Sequence, residues 1–252
     1  MAERALALVV RGTDWSETSR IVTLFTREFG KVRGLAKGGR RLRSNFEFGF
    51  DLLTLCRIVF LKKAHGGLDL LTEAQVAEKF AHLRTDLGAL NAGYYLAELL
   101  SDGTQDYDPH PALFDAAVEA LRKFADPEHR QNALATFELV WLRELGYSPR
   151  FETCAACARD LSEQTETAFR VDFSPEAGGA VCPDCQAGLR DRRPLSEAAR
   201  QTLIRLDPAK PASADRPSIG REVRGLLGLM VSSVLGRRPR LLAAIEADAS
   251  GF

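Results

Sequence analysis

Hydrophobic residues keep two different rhythms along this chain, and the change between them divides it. Over the first eighty residues, apolar and β-branched positions gather in short runs at 5–11, 20–26 and 31–37, with Glu28-Phe29-Gly30 as a hairpin-closing connection. The stretch 52–60 is a longer, nearly continuous apolar run that predicts a strand buried on both faces. His65-Gly66-Gly67 then turns the chain into a fifth run at 68–72. Five such runs in about seventy-five residues fit a small closed barrel of the OB type, although an open meander has the same count. From about Glu73 the period becomes helical. Leu87, Leu90, Tyr94, Ala97 and Leu100 predict one apolar face, and Leu113, Phe114, Ala117, Val118, Leu121 and Phe124 a second. Asp126-Pro127 breaks that helix. A third carries Leu134, Phe137, Trp141 and Leu145 and stops at Gly146, with Pro149 beyond. Ser196 caps a further helix to about Leu206. A polar, Pro-rich loop at 208–217 follows, and the last clear helix runs from Ile219 through Leu235 to Gly236. These stripes read as core.

Composition adds little until it is divided along the chain. Apolar residues are 45% and charged residues 27%, as in soluble globular proteins. No apolar run approaches about eighteen residues, so no membrane span is expected. The N-terminal segment reads as a strand rather than a secretory signal, which predicts a reducing, cytoplasmic setting in which cysteines serve metals more often than disulfides. The net charge of +0 hides an asymmetry: residues 1–80 hold 14 Lys/Arg against 9 Asp/Glu, and residues 81–153 hold 6 against 12. A basic block followed by an acidic one predicts two units with different partners, the first suited to a polyanion.

Four of the five cysteines supply the sharpest chemistry. Cys154 and Cys157 form one C-x-x-C and Cys182 and Cys185 another, about twenty-four residues later. Two intervening residues let a tight turn aim both sulfurs at one ion, and two such turns complete the tetrahedron that zinc prefers. Four thiolates leave no open position for water, so the expected Zn²⁺ is structural. Residues 169–173 and the Gly178-Gly179 pair read as a strand and a turn that bring the second pair back. A redox dithiol is the alternative, but the second C-x-x-C would then be superfluous. Cys56 lies in an apolar run and reads as core.

A second constellation is Lys31, Arg33, Lys37, Arg40, Arg41 and Arg43, six cations without an intervening acid and with glycines at 34, 38 and 39. A strand face continued by a Gly-containing basic loop suits a phosphate backbone. Phe46, Phe48 and Phe50 follow at period two. They are candidates for base stacking, with core packing expected for at least two. Elsewhere there is no G-x-x-x-x-G-K-[ST], H-E-x-x-H or G-x-S-x-G, and the histidines at 65, 82, 110 and 129 are scattered. No nucleophile–base pair stands out, so the chain is not expected to be an enzyme.

Three segments carry a resemblance to the RecO recombination-mediator family: Trp15-Ser-Glu-Thr-Ser19 running on through Leu24-Phe25-Thr26, Phe29-Gly30-Lys31 and Gly34 to Gly38; Tyr94-Tyr95 through Asp102 with Leu113-Phe114; and Phe137-Glu138 through Gly146-Tyr147 and Pro149 into Cys154. The resemblance implies an α+β chain: an OB-fold at 1–80, an α-helical domain at 81–150 and 192–252, and a zinc-binding segment at 151–191. It also implies recombinational repair. The expected activities are binding of single- and double-stranded DNA, annealing of complementary strands, and help to RecA on strands coated with single-strand-binding protein, together with RecR. The acidic tail of single-strand-binding protein is expected on the helical domain, and the location is expected to be cytoplasmic and nucleoid-associated. The six cations fall on the family's OB strand and basic loop. A zinc-ribbon module that binds RNA or a protein partner is the alternative reading.

Overall fold

Five strands, β1 (Ala2–Asp14), β2 (Arg20–Thr26), β3 (Gly30–Ala36), β4 (Thr54–Leu61) and β5 (Asp69–Lys79), close into a barrel in the order β1-β2-β3-β5-β4. The computed structural model describes residues 2–38, 46, 50–63, 66–161, 170–207, 210 and 218–249. All pairings are antiparallel except β3 with β5, which run parallel over Gly34–Ala36 and Asp69–Leu71. β1 closes the barrel by pairing β4 along its first half and β2 along its second, with a register shift between Val9 and Arg11. The topology is therefore the OB barrel rather than an open meander.

Alternation fills the interior. Ala5, Ala7, Val9, Val22, Leu24, Val32, Ala36, Ile58 and Phe60 point inward and pack into one cluster with Cys56, and burial pushes the Cys56 thiol up to about 12. Phe46 and Phe50 belong to the same cluster with ring centroids 5.0 Å apart, so these two are core residues and not stacking platforms. Phe48 lies outside the described residues.

Three expectations need correction. β5 continues to Lys79, past the point where a helical period was expected. Glu73 and Gln75 face solvent and Ala74 the core, and pairing with β4 overrides the helix-favouring composition of these residues. β4 starts at Thr54 after Leu53 adopts φ +60, and Arg57 is exposed, so the strand is not buried on both faces. The predicted face of the first helix holds only toward its C-terminal end, as its packing below shows.

The barrel and two helices form one compact unit, Met1–Pro127. After a 3-10 turn at Ala81–Arg84 come α1 (Leu87–Gly103) and α2 (Pro111–Lys123). Asp86 caps α1, its carboxylate accepting from Ala89 N at 2.9 Å. Ala97 and Leu100 are buried as expected, but Leu87 and Tyr94 are exposed, and Ala89, Ala92, Gly93, Tyr95, Leu96 and Leu99 complete the packed surface of α1. Small residues carry this contact: a Cβ on Gly93 would come within 2.7 Å of Leu53. α2 lies on the barrel through the Phe25–Phe114 ring pair, and the paired bonds of Arg27 with Asp115 tie the two together at 2.9 and 3.0 Å.

The second unit, Glu128–Phe252, is built round α3 (Pro127–Glu144), which is buried on nearly every side from Arg130 to Leu142. Next come β6 (Asp172–Ser174), β7 (Gly179–Val181), the one-turn α4 (Pro183–Gln186) and β8 (Arg193–Pro194), with the small sheet ordered β7-β6-β8. Three helices follow, α5 (Glu197–Arg205), α6 (Arg221–Leu235) and α7 (Leu242–Asp248). Ser196 caps α5 as expected, accepting from Ala199 N at 3.1 Å, and Gly236 ends α6 at φ +68. Buried Arg224 on α6 donates to buried Glu138 on α3. α7, which periodicity did not single out, is held by Gln131 Nε2 donating to Asp248 at 3.0 Å. Of the 208–217 loop only Lys210 is among the described residues.

Candidate metal centre and nucleic-acid interface

The four cysteines converge. Their sulfurs all lie within 4.8 Å of one another, and Cys157 and Cys182 Sγ are 3.8 Å apart. Zinc–sulfur bonds of ~2.3 Å in a tetrahedron set sulfurs ~3.8 Å apart, so the cluster has the right size to hold a metal ion. The first pair sits on a tight hairpin, closed by Cys154 N donating to Arg159 O at 2.7 Å and Leu161 N to Glu152 O at 2.8 Å. Ala158, at φ +60, makes its bend. In the second pair, Cys182 precedes α4 and Cys185 lies within it, with Cys185 N donating to Cys182 O at 3.0 Å.

The two pairs are locked together by backbone. Ala155 N donates to Ala180 O at 2.8 Å and Ala180 N to Arg150 O at 2.7 Å. This approach requires Gly179, since a Cβ there would lie 2.1 Å from Arg150 O. Arg159 and Asp184 add an ion pair at 2.7 Å.

The electrostatics of the cluster suit a cation. Burial raises the Cys154 thiol, but the N–H groups of Cys182, Cys157 and Ala156 outweigh it and bring it down to about 6. Hydrogen bonding to Cys182 and Cys157 pushes Cys185 up to about 12, and burial raises Cys182. Adjacent thiols cannot all ionise alone, and a divalent ion would stabilise four thiolates together. Cys154 and Cys182 are buried while Cys157 is exposed, so two ligands face the protein and at least one faces solvent.

The predicted phosphate-contacting cations part company. Lys31 faces outward from β3 but is committed within its own unit. Its Nζ donates to Ser101 O at 2.7 Å and to Thr104 O, with Asp106 at 3.7 Å. It thereby caps the last carbonyls of α1. Burial lowers its pKa, against the opposing pull of Asp106. Arg33, two residues on, is half-exposed and pairs with Asp106 at 2.8 Å, and Lys37 is exposed beyond the end of the strand. Arg40, Arg41 and Arg43 lie outside the described residues. Arg11 was not singled out from the sequence. Register places it on the same outward row as Arg33, with Thr23 of β2 between them. It is also half-exposed, paired with Asp102 at 3.8 Å. An isolated arginine in β1 carries no local signal, and only the strand pairing brings it to this face.

Within the second unit a pocket of about 330 Å³ opens between the end of α3, the first cysteine hairpin and α5, with Leu139, Phe151 and Leu203 among its apolar lining residues, Arg143 and Arg150 as cations, Asp207 as an acid, and Lys210 paired with Glu152 at 2.6 Å.

Comparison with known proteins agrees with this layout. The family described as Recombination protein O N terminal matches residues 1–80, and Recombination protein O C terminal matches residues 84–243. The DNA repair protein RecO of Rhodopirellula baltica is 36% identical over 94% of this chain and 96% of its own length. That of Anaeromyxobacter sp. (strain Fw109-5) is 36% identical over 92% and 90%, and that of Roseiflexus sp. (strain RS-1) is 32% identical over 96% and 84%. An OB barrel followed by helices and a four-cysteine cluster, matched along nearly its whole length, places this chain in the RecO family of DNA repair proteins.

Proposed function

We propose that this RecO-family chain is a DNA-binding mediator of recombinational repair that works by holding strands, without covalent chemistry. The observation that carries the reading is the outward face of β1-β2-β3. Half-exposed Arg11 and Arg33 and exposed Lys37 stand there on a closed OB barrel, at the root of a run that continues in sequence through Arg40, Arg41 and Arg43. Cations on a rigid sheet that lead into a glycine-containing loop follow a phosphate backbone without reading its sequence. Two strands held this way are brought together with their repulsion screened, which favours annealing of complementary sequences.

Lys31 is left out of the contacting set, because its donors are already used. Zinc held by Cys154, Cys157, Cys182 and Cys185 supplies structural rigidity to its segment. The pocket beside α3 joins an apolar floor to Arg143 and Arg150, the chemistry that takes an acidic amphipathic peptide such as the tail of single-strand-binding protein, while Glu152 and Asp207 on its wall limit how many acidic side chains it accepts. Cooperation with RecR and delivery of strands to RecA complete the role that family membership supports.

The test is charge reversal of Lys37, Arg40 and Arg41 to Glu. Single-strand affinity should fall, and annealing of protein-coated complementary oligonucleotides should slow. The log–log salt dependence should flatten by ~0.7 for each phosphate that is no longer neutralised. Unaltered binding and salt slope would remove the barrel face from the role. The alternative, a zinc-ribbon module for RNA or a protein partner, predicts tighter binding to RNA than to DNA of the same length.

A further inference from the structure

The loop joining β1 to β2 presents a highly exposed aromatic ring to an open cleft. Trp15 is 67% exposed, while Trp141, the other tryptophan, is fully buried in α3. The loop is nevertheless ordered by its own hydrogen bonds. Trp15 N and Ser16 N both donate to Ser19 O, at 3.1 and 3.2 Å, and Ser19 N donates to Ser16 Oγ at 3.1 Å. Asp14 and Arg20, the pair that closes the hairpin, meet at 3.3 Å. These bonds close the loop on itself, and the indole is left on its outside without contributing to the core.

Beside it lies a cleft of about 450 Å³ lined by Trp15, Ser16, Thr18, Ser19, Leu35 and Lys37. It therefore holds an aromatic face, an aliphatic wall, hydroxyls that donate and accept, and one cation. Leu35 on β3 and Lys37 just past its end follow Arg33 at period two, so the cleft continues the cationic outward face. The indole leaves most of its apolar area in water, area that a stacked ligand would cover. A flat π-surface next to a cation and hydroxyls suits a flat ligand that carries a phosphate and base-edge polar atoms. A paired base has its faces covered by its neighbours in the duplex, and an unpaired base does not.

We infer that Trp15 is a stacking platform for one unpaired nucleobase of a bound single strand, with Lys37 taking the adjoining phosphate. The inference deepens the DNA-binding reading above and rests on it. The aromatic contact comes from the β1–β2 loop and not from the phenylalanines that follow the basic run, two of which the barrel core has absorbed. It also gives the barrel a means of preferring single strands, since phosphate contacts alone accept duplexes equally well.

The two tryptophans make the test direct. Trp fluorescence of the full chain is titrated with oligothymidylate, with an abasic oligonucleotide of equal length and with a blunt duplex, and the anisotropy of the same nucleic acids carrying a dye gives affinities for the full chain and its Trp15→Ala and Trp15→Phe variants. The expected result is that oligothymidylate quenches Trp15 and the abasic strand binds without quenching. Trp15→Ala should lower the affinity for oligothymidylate about tenfold or more, the order of one base–aromatic stack, while its affinity for the abasic strand and the duplex is unchanged. Trp15→Phe should recover most of that affinity, since it keeps a ring while giving up the fluorescence signal. The inference is overturned if Trp15→Ala binds oligothymidylate as tightly as the unaltered chain, or if the abasic strand quenches equally. Should the abasic strand bind while bases add nothing, stacking alone falls. Should neither strand bind the unaltered chain, the DNA-binding reading falls with it.

Discussion

Lys31 shows how a residue can satisfy a sequence pattern and serve another purpose. Its place at the head of a cationic run marks it as a phosphate contact, yet three acceptors, Ser101 O, Thr104 O and Asp106, converge on its Nζ. Those carbonyls belong to the end of α1, where no backbone N–H follows to receive them. Lys31→Ala is expected to destabilise the first unit by about 1–3 kcal/mol, because the freed carbonyls are left without a charged donor in a half-buried site. The DNA salt slope should stay as it is. Urea denaturation and a salt titration on the same variant check both halves. Arg33 differs because its guanidinium is half-exposed and shares Asp106 with solvent, so a phosphate oxygen can replace the carboxylate. Phe46 and Phe50 were legible as aromatic and periodic, and the barrel interior decided between the two uses open to them.

At the scale of elements, helix ends were read well and helix faces less so. Ser196 before α5 and Gly236 after α6 are chemically specific signals, and both stand where the sequence places them. The N-terminal part of the packed surface of α1 escaped because it is made of Ala89, Ala92 and Gly93, whose small side chains weigh little in a hydrophobic pattern and matter through close approach. β5 escaped beyond Thr72 because its residues favour helix in isolation, and a strand acquires its stability from its neighbours. The contact of α3 with α6 contains the buried pair Glu138–Arg224. Glu138→Gln removes the carboxylate charge that the buried guanidinium faces across the contact and should cost about 3–5 kcal/mol, whereas Glu138→Leu combined with Arg224→Met should be near neutral. Chemical denaturation of the two variants separates the outcomes. An equally large destabilisation in the double variant would show that packing, not charge, dominates there.

For the whole molecule, two compact units carry two kinds of chemistry. The cysteine cluster lies wholly in the second, in a segment whose sheet has strands of only two or three residues. Strands this short give the segment few ladder hydrogen bonds of its own, and metal binding supplies on the order of 10 kcal/mol in small zinc peptides. Chelation, or Cys182→Ser, is expected to release about one equivalent of zinc and abolish amide protection across 150–161 and 170–194, while the barrel strands keep theirs. Hydrogen exchange resolved by segment reads this directly, and X-ray absorption should find four sulfurs at ~2.3 Å. Persistent protection after complete metal removal would show that the knuckle folds unaided.

What the sequence determined by itself is local. It set the period-two runs of the barrel, the helix stops, and the cysteine spacing that makes a four-sulfur site geometrically available, because each depends on neighbours a few residues apart. Barrel closure, the alignment of Arg11 with Arg33, the diversion of Lys31 to α1 and the isolation of Trp15 on its loop were decided only by tertiary structure. These depend on pairing between residues far apart in the chain, where the free energy comes from burial and hydrogen bonds that no single segment makes alone.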